Sequence, residues 1–137
     1  MGLKLSTADN AHLAKLHPDL AKVVRRAAAI WPYKGQAVFI TCSLRTVAEQ
    51  KKLIAAGASQ TMRSRHLPGA KTKLSHAVDF AIKLNGKLRW DWPLFVQLSV
   101  VMKQAAKDVG VPVEWGGDWR SFKDGPHFQL PWTKYPG

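Results

Sequence analysis

Apolar positions recur along the chain with two periods. After Pro18-Asp19, residues Leu20, Val23, Val24 and Ala27 fall at helical spacing, which predicts a helix with one buried face ending near Trp31. Arg25 and Arg26 lie off that stripe. A shorter helix is predicted before it, near residues 10 to 17, capped by Asp9 or Asn10. Pro32-Tyr33-Lys34-Gly35 is a turn, and Gln36 to Thr41, rich in β-branched and aromatic residues, is a strand. Thr46 and Glu49 have the spacing of a capping box for a helix from Val47 to Ala56, stopped by Gly57. Residues 58 to 75 are polar, basic and irregular. His76 to Ile82 is predicted as a strand, Asn85-Gly86 as a tight turn and Lys87 to Trp90 as the returning strand. Asp91 and Pro93 open a long helix whose stripe is Leu94, Phe95, Leu98, Val101, Met102 and Ala105, with Gly110 as its stop. Val111 to Trp115 and His127 to Leu130 are short strands around a Gly116–Trp119 loop. The expected fold class is α+β, a small mainly antiparallel sheet covered by helices, in one domain over residues 1–137.

Composition narrows the function classes. At 46% hydrophobic and 22% charged over 137 residues, an ordered core is expected. Cys42 is the sole cysteine, which excludes an internal disulfide framework and a cysteine zinc knuckle. Twenty-one basic against nine acidic residues give a net charge of +12, suited to a polyanionic partner such as nucleic acid, an anionic membrane or a cell wall. The N-terminal residues lack the apolar core of a signal peptide, so synthesis and retention in the host cytoplasm are expected, with action on the wall only after the membrane is permeabilised.

Candidate chemistry concentrates in two stretches. Residues 64 to 79 hold His66, His76 and Asp79, and the carboxylate of Asp79 interrupts the apolar run Ala77-Val78-Asp79-Phe80-Ala81. Such a group is costly to bury without a partner, whether a metal or a basic side chain. The second stretch, Asp124-Gly-Pro-His127, sets a carboxylate three residues before a further histidine. Three nitrogen or oxygen ligands with one open position and a nearby base form the inventory of a catalytic zinc site. His12 and His17 belong to the N-terminal helical region and are expected to be structural. Trp31, Trp90 and Trp92 are expected to pack at element boundaries and Trp119 against the sheet. Trp132 and Tyr135 either cover the core or touch a glycan.

Ser64-Arg65-His66-Leu67-Pro68-Gly69, continued by Ala77-Val78-Asp79-Phe80, resembles the Ser-x-His-x-x-Gly-x-Ala-x-Asp signature of the LAS metallopeptidases (M15), which include D-alanyl-D-alanine carboxypeptidases, D,D-dipeptidases and phage L-alanyl-D-glutamate endolysins. Trp115-Gly116-Gly117-Asp118-Trp119, Asp124-Gly-Pro-His127, Arg45-Thr46, Asn85-Gly86-Lys87 and the N-terminal helices resemble the phage branch, so nearly the whole chain is covered. The resemblance implies Zn2+ held by His66, Asp79 and His127, with Asp124 as the general base for its water. It also implies that Arg45 steadies the scissile carbonyl and its oxyanion, and that Arg45 and Ser64 contact substrate. One departure is an insertion, Ala70 to Ser75, which leaves His66 and His76 competing for the first ligand position. We favour His66. It keeps the signature context, whereas on a strand His76 and Asp79, three apart, point to opposite faces. His66 is then expected on the opposing arm of an enlarged hairpin.

The resulting expectation is a monomeric phage-type endolysin hydrolysing stem peptides of bacterial peptidoglycan at the L-alanyl-D-glutamate bond, with anionic outer-membrane lipids as a further partner. The alternatives are a D-alanyl-D-alanine carboxypeptidase or dipeptidase of the same family, and a non-catalytic basic module binding cell wall or nucleic acid. The basic residues are scattered and no nucleic-acid motif is present, so nucleic acid is not expected as a partner.

Overall fold

The computed structural model describes residues 2–57 and 64–137. Residues 58–63 of the expected irregular segment lie outside the described residues. Among the described residues, four α-helices, α1 (Thr7–Leu13), α2 (Pro18–Ile30), α3 (Val47–Ala55) and α4 (Trp92–Val109), accompany five strands: β1 (Gln36–Cys42), β2 (Ala77–Leu84), β3 (Lys87–Arg89), β4 (Glu114–Trp115) and β5 (His127–Gln129). All the strand pairings are antiparallel, in the order β1-β2-β5-β4, with β3 also beside β2. The expected α+β class with an antiparallel sheet holds. Among the described residues, no helix is long and apolar enough to cross a membrane.

The core forms where apolar faces of α2 and α4 meet one face of the sheet. Leu20, Val23 and Val24 from α2, and Phe95, Leu98 and Met102 from α4, are buried with Val78, Phe80 and Ile82 of β2 and Phe128 of β5. Strand alternation then decides the position of Asp79. With Val78 and Phe80 committed to the core, the side chain between them must leave by the opposite face.

Several local expectations hold for their stated reasons. Thr46 and Glu49 form both bonds of the capping box, 3.1 and 2.9 Å long. Asn85 and Gly86 take φ of 51° and 81°, as a two-residue hairpin turn requires. Gly110 ends α4 in the left-handed conformation at φ 72°.

Others are corrected. The first helix starts at Thr7, because Ser6, not Asp9 or Asn10, caps it, through a capping box in which Asp9 is the N3 partner. Asp9 is buried and its Oδ1 also accepts the Ile40 N–H at 3.0 Å, tying α1 to β1. The helix stops early because the chain near Leu16 bonds to Ser75 instead, through Ser75 N to Lys15 O at 2.9 Å and His17 N to Ser75 O at 2.8 Å. The strand expected over 111 to 115 is reduced to Glu114–Trp115. Pro112 has no N–H for a ladder, and Val111 N donates back to Ala106 O at the helix end. The tryptophans pack at element boundaries as expected: Trp31 is buried, while Trp90 and Trp92, 57% and 44% exposed, lie over Phe95 and Trp115. No strand includes His66, so the enlarged hairpin does not form: β2 is flanked by β1 on one edge and by β5 and β3 on the other.

Candidate metal centre and active site

A row of three side chains crosses the sheet. In the β1–β2 ladder the register passes from Ile40 opposite Phe80 to Cys42 opposite Asp79, so a bulge absorbs Thr41. On the other edge of β2, Asp79 faces His127. Residues directly opposite in a ladder project to the same side. Cys42, Asp79 and His127 therefore stand together on the sheet face away from the helical core.

His66 joins them from a loop that is fixed by its backbone. Arg45 N donates to His66 O at 2.8 Å, His76 N to Arg65 O at 2.9 Å, and His66 N to Ser64 Oγ at 3.2 Å. His66 Nδ1 is 2.8 Å from the Ser43 carbonyl oxygen. A carbonyl only accepts, so that nitrogen carries the proton and the Nε2 lone pair faces Asp79 Oδ2 at 3.1 Å. Two electron-rich atoms this close need a cation between them, a proton or a metal. Nε2 is fully buried without a hydrogen bond of acceptable geometry. Burial disfavours the imidazolium, but the Asp79 carboxylate and Cys42 outweigh it and raise the His66 pKa to about 10 in the metal-free protein. Burial likewise opposes ionisation of Asp79, and the two histidines outweigh it, holding its carboxyl well below the usual range.

Asp124 arrives on the turn before β5. Its backbone is held by Asp124 N to Gly116 O at 3.1 Å and His127 N to Asp124 O at 3.2 Å. A Cβ on Gly116 would lie 2.3 Å from Asp124 O, so only glycine permits this approach. Burial pushes the Asp124 pKa up, and the neighbouring Asp79 charge adds to it. Ligand atoms of Asp79, Asp124 and His127 lie within 4.8 Å of one another, as do those of Cys42, His66 and Asp79. The His127 ring spans Asp79 Oδ1 at 2.9 Å and Gln129 Oε1 at 2.8 Å. Imidazoles and carboxylates grouped around Asp79 in two overlapping sets suit a divalent metal.

Arg45, Ser64, His66, Asp79, Asp124 and His127, all anticipated from sequence, line one cleft of about 920 Å³. The Arg45 guanidinium is fixed by Nη1 to Gln50 Oε1 at 2.8 Å and Nη2 to Cys42 Sγ at 3.4 Å. The competing His76 is buried on the other side, its ring 5.4 Å from that of His17. Burial, then Arg65 and His17, bring its pKa down to about 4.

Three contributors were missed. Gln129 shares a strand face with His127, two residues away, so alternation would have revealed it. Cys42 reaches the row only through the bulge, which has no sequence signature here. Ser43 orients His66 through its carbonyl, and its hydroxyl is 2.6 Å from His12 Nδ1. Trp119 packs on the sheet as expected, against His127 of β5 at 5.1 Å between rings, and it also lines the cleft. Its neighbour Asp118 is exposed and pairs with Lys103 at 2.8 Å.

Residues 1–130 match the family model of phage L-alanyl-D-glutamate peptidases. The chain is 34% identical over 128 residues to the L-alanyl-D-glutamate peptidase of Escherichia phage T5, covering 90% of this chain and 87% of that protein. It is 33% identical over 128 residues to the peptidoglycan L-alanyl-D-glutamate endopeptidase CwlK of Bacillus subtilis, covering 84% and 73% respectively. The crystal structure of the Serratia marcescens L-Ala D-Glu endopeptidase ChiX superposes with a TM-score of 0.84 at 38% identity, covering 99% of this chain and 96% of that one. With its sheet, its cleft and these matches over most of its length, the chain belongs to the phage L-alanyl-D-glutamate peptidase family.

Proposed function

We propose that the protein is a zinc-dependent endopeptidase that hydrolyses the L-alanyl-D-glutamate bond of peptidoglycan stem peptides, with residues 1–137 acting as one catalytic domain. The observation that carries this reading is the buried Nε2 of His66 set 3.1 Å from Asp79 Oδ2, beside His127 and within a cleft that also holds a carboxylate of raised pKa. His66, Asp79 and His127 are the proposed zinc ligands. Zinc in such a centre supplies Lewis acidity toward a water molecule and a carbonyl oxygen.

The chain's own groups do the rest. Asp124 takes the proton of the attacking water at its carboxylate and passes it to the departing D-glutamate nitrogen as the carbon–nitrogen bond breaks. Its raised pKa suits both halves of that transfer. The Arg45 guanidinium, fixed by Gln50, faces the negative charge that gathers on the scissile carbonyl oxygen. Ser64 supports the loop of His66 and stands at the cleft wall for substrate. Trp119 packs against the His127 ring at the cleft wall. The names of the relatives favour this bond over a D-alanyl-D-alanine bond. The role of an endolysin, acting on the wall from a phage-infected cell, is in keeping with the phage relative.

The test is digestion of purified peptidoglycan by wild type, Asp124→Ala and chelated protein, with new amino termini identified by mass spectrometry. A new D-glutamate amine, lost in the variant and restored to the chelated sample by zinc, is expected. Undiminished cleavage in both impaired samples would refute the mechanism. Unimpaired wall binding with no cleavage by wild type would favour a non-catalytic wall-binding module.

A further inference from the structure

Arg65, next to the proposed ligand His66, is in an unusual position. Only 3% of its surface is exposed, yet among the described residues no carboxylate lies within ion-pairing distance of its guanidinium. Its Nε donates to Leu130 O at 3.3 Å and Nη2 to Tyr135 O at 2.5 Å, while Trp132 stacks on the guanidinium with 3.9 Å between Cζ and the ring centroid. The Tyr135 hydroxyl is in turn anchored to Asp19 Oδ2 at 2.7 Å. These contacts fix the fork but give its positive charge no direct ion pair: the Glu114 carboxylate of the same cleft acts on it only from beyond ion-pairing distance. A buried charge of this kind is expensive, and carbonyl dipoles and an indole face compensate it in part. Arg65 also lines the cleft that contains His66, Asp79 and Asp124.

We propose that Arg65 is a carboxylate-binding subsite of the cleft, and that the anion it takes is the free carboxylate of the D-glutamyl residue of the substrate. This rests on the peptidase reading above. A glutamyl residue has two carboxyl groups. Only one continues the peptide chain, so the other stays free beside the scissile bond. Guanidinium and carboxylate form a bidentate pair in fixed geometry, and an arginine already held by two carbonyls loses little freedom in making it. The C-terminal segment 130–135 thereby acts as the clamp that holds the fork in place.

The experiment compares two soluble stem-peptide substrates that differ only at that group, one with the free D-glutamyl carboxylate and one with its amide. For each protein the quantity read is the ratio of kcat/KM for acid over amide. Being internal to one sample, it does not depend on the folded or zinc-loaded fraction. Wild type is expected to favour the acid by roughly 10- to 100-fold, the size of one charge-assisted hydrogen-bonded pair. Arg65→Gln is expected to bring the ratio near one, chiefly by loss on the acid, and Arg65→Lys to restore part of it. A wild type indifferent to the amide, or an Arg65→Gln ratio equal to that of wild type, overturns the subsite and leaves the peptidase reading intact. A wild type that cleaves neither substrate refutes the peptidase reading and the subsite with it.

Discussion

Asp79 and His127 stand directly opposite each other in the β2–β5 ladder, with His127 Nδ1 2.9 Å from Asp79 Oδ1. The central carboxylate of the candidate metal centre is therefore set by strand pairing, on rigid elements, and the loops bring only His66 and Asp124 to it. Each prediction below perturbs one part of that arrangement.

Replacing His66 and His76 separately distinguishes the two histidines on either side of the inserted segment. His66→Ala is expected to lose zinc, and His76→Ala to keep about one equivalent per chain, as measured by elemental analysis after dialysis. His76 packs against His17 on the other side of the loop, so its loss is expected to lower Tm instead.

In the metal-free protein, the His66 pKa of about 10 lies above its ordinary value of 6.5. The sign follows: this group's contribution to stability is fully present below pH 6.5 and is lost as pH rises through 10. Thermal unfolding of chelated protein across that window should show a decline that His66→Ala removes. Zinc has to displace the same proton, so its affinity should rise by up to about tenfold per pH unit below pH 10. An affinity flat from pH 7 to 9 would contradict the His66 assignment.

Asp124→Asn should lower kcat by roughly 10²- to 10⁴-fold while retaining zinc, as expected for loss of a general base. Burial and Asp79 raise the Asp124 pKa, so its ionisation costs stability as pH rises through that pKa. The metal-free variant should therefore melt above metal-free wild type at neutral pH, with the gap closing in acid.

Gly116→Ala introduces a methyl 2.3 Å from the Asp124 carbonyl oxygen, a contact that backbone must move to relieve. We expect a loss of about 1–3 kcal/mol in unfolding free energy. Activity should fall beyond what the folded fraction explains, because the displaced residue is the proposed base.

Asp9→Ala removes the α1 capping box and the acceptor for Ile40 N–H at once. A destabilisation of about 2 kcal/mol is expected in denaturant melts, with kcat/KM of the folded enzyme unchanged. A large kcat effect would mean that α1 contributes to the cleft.

The sequence alone determined whatever depends on neighbours along the chain. Thr46 with Glu49, Asn85-Gly86 and the stripes of α2 and α4 were legible because capping, turn geometry and helical period act within a few residues. Asp79 was legible as a candidate because a carboxylate in the apolar run around Val78 and Phe80 is costly to bury without a partner and matches the Ala-x-Asp of the signature. The N-terminal cap was misassigned because two acceptors, Ser6 and Asp9, compete locally, and the bond from Ile40 N to Asp9 comes from a distant strand. Only tertiary structure decided what lies beside what. The bulge at Thr41 brings Cys42 opposite Asp79, and the bond from Arg45 N to His66 O holds the His66 loop over the sheet without any hairpin. The C-terminal carbonyls enclose Arg65 in the same way. Such pairings join residues tens of positions apart, and no local propensity encodes them. They are selected by the one sheet register that buries Val78, Phe80 and Phe128 together.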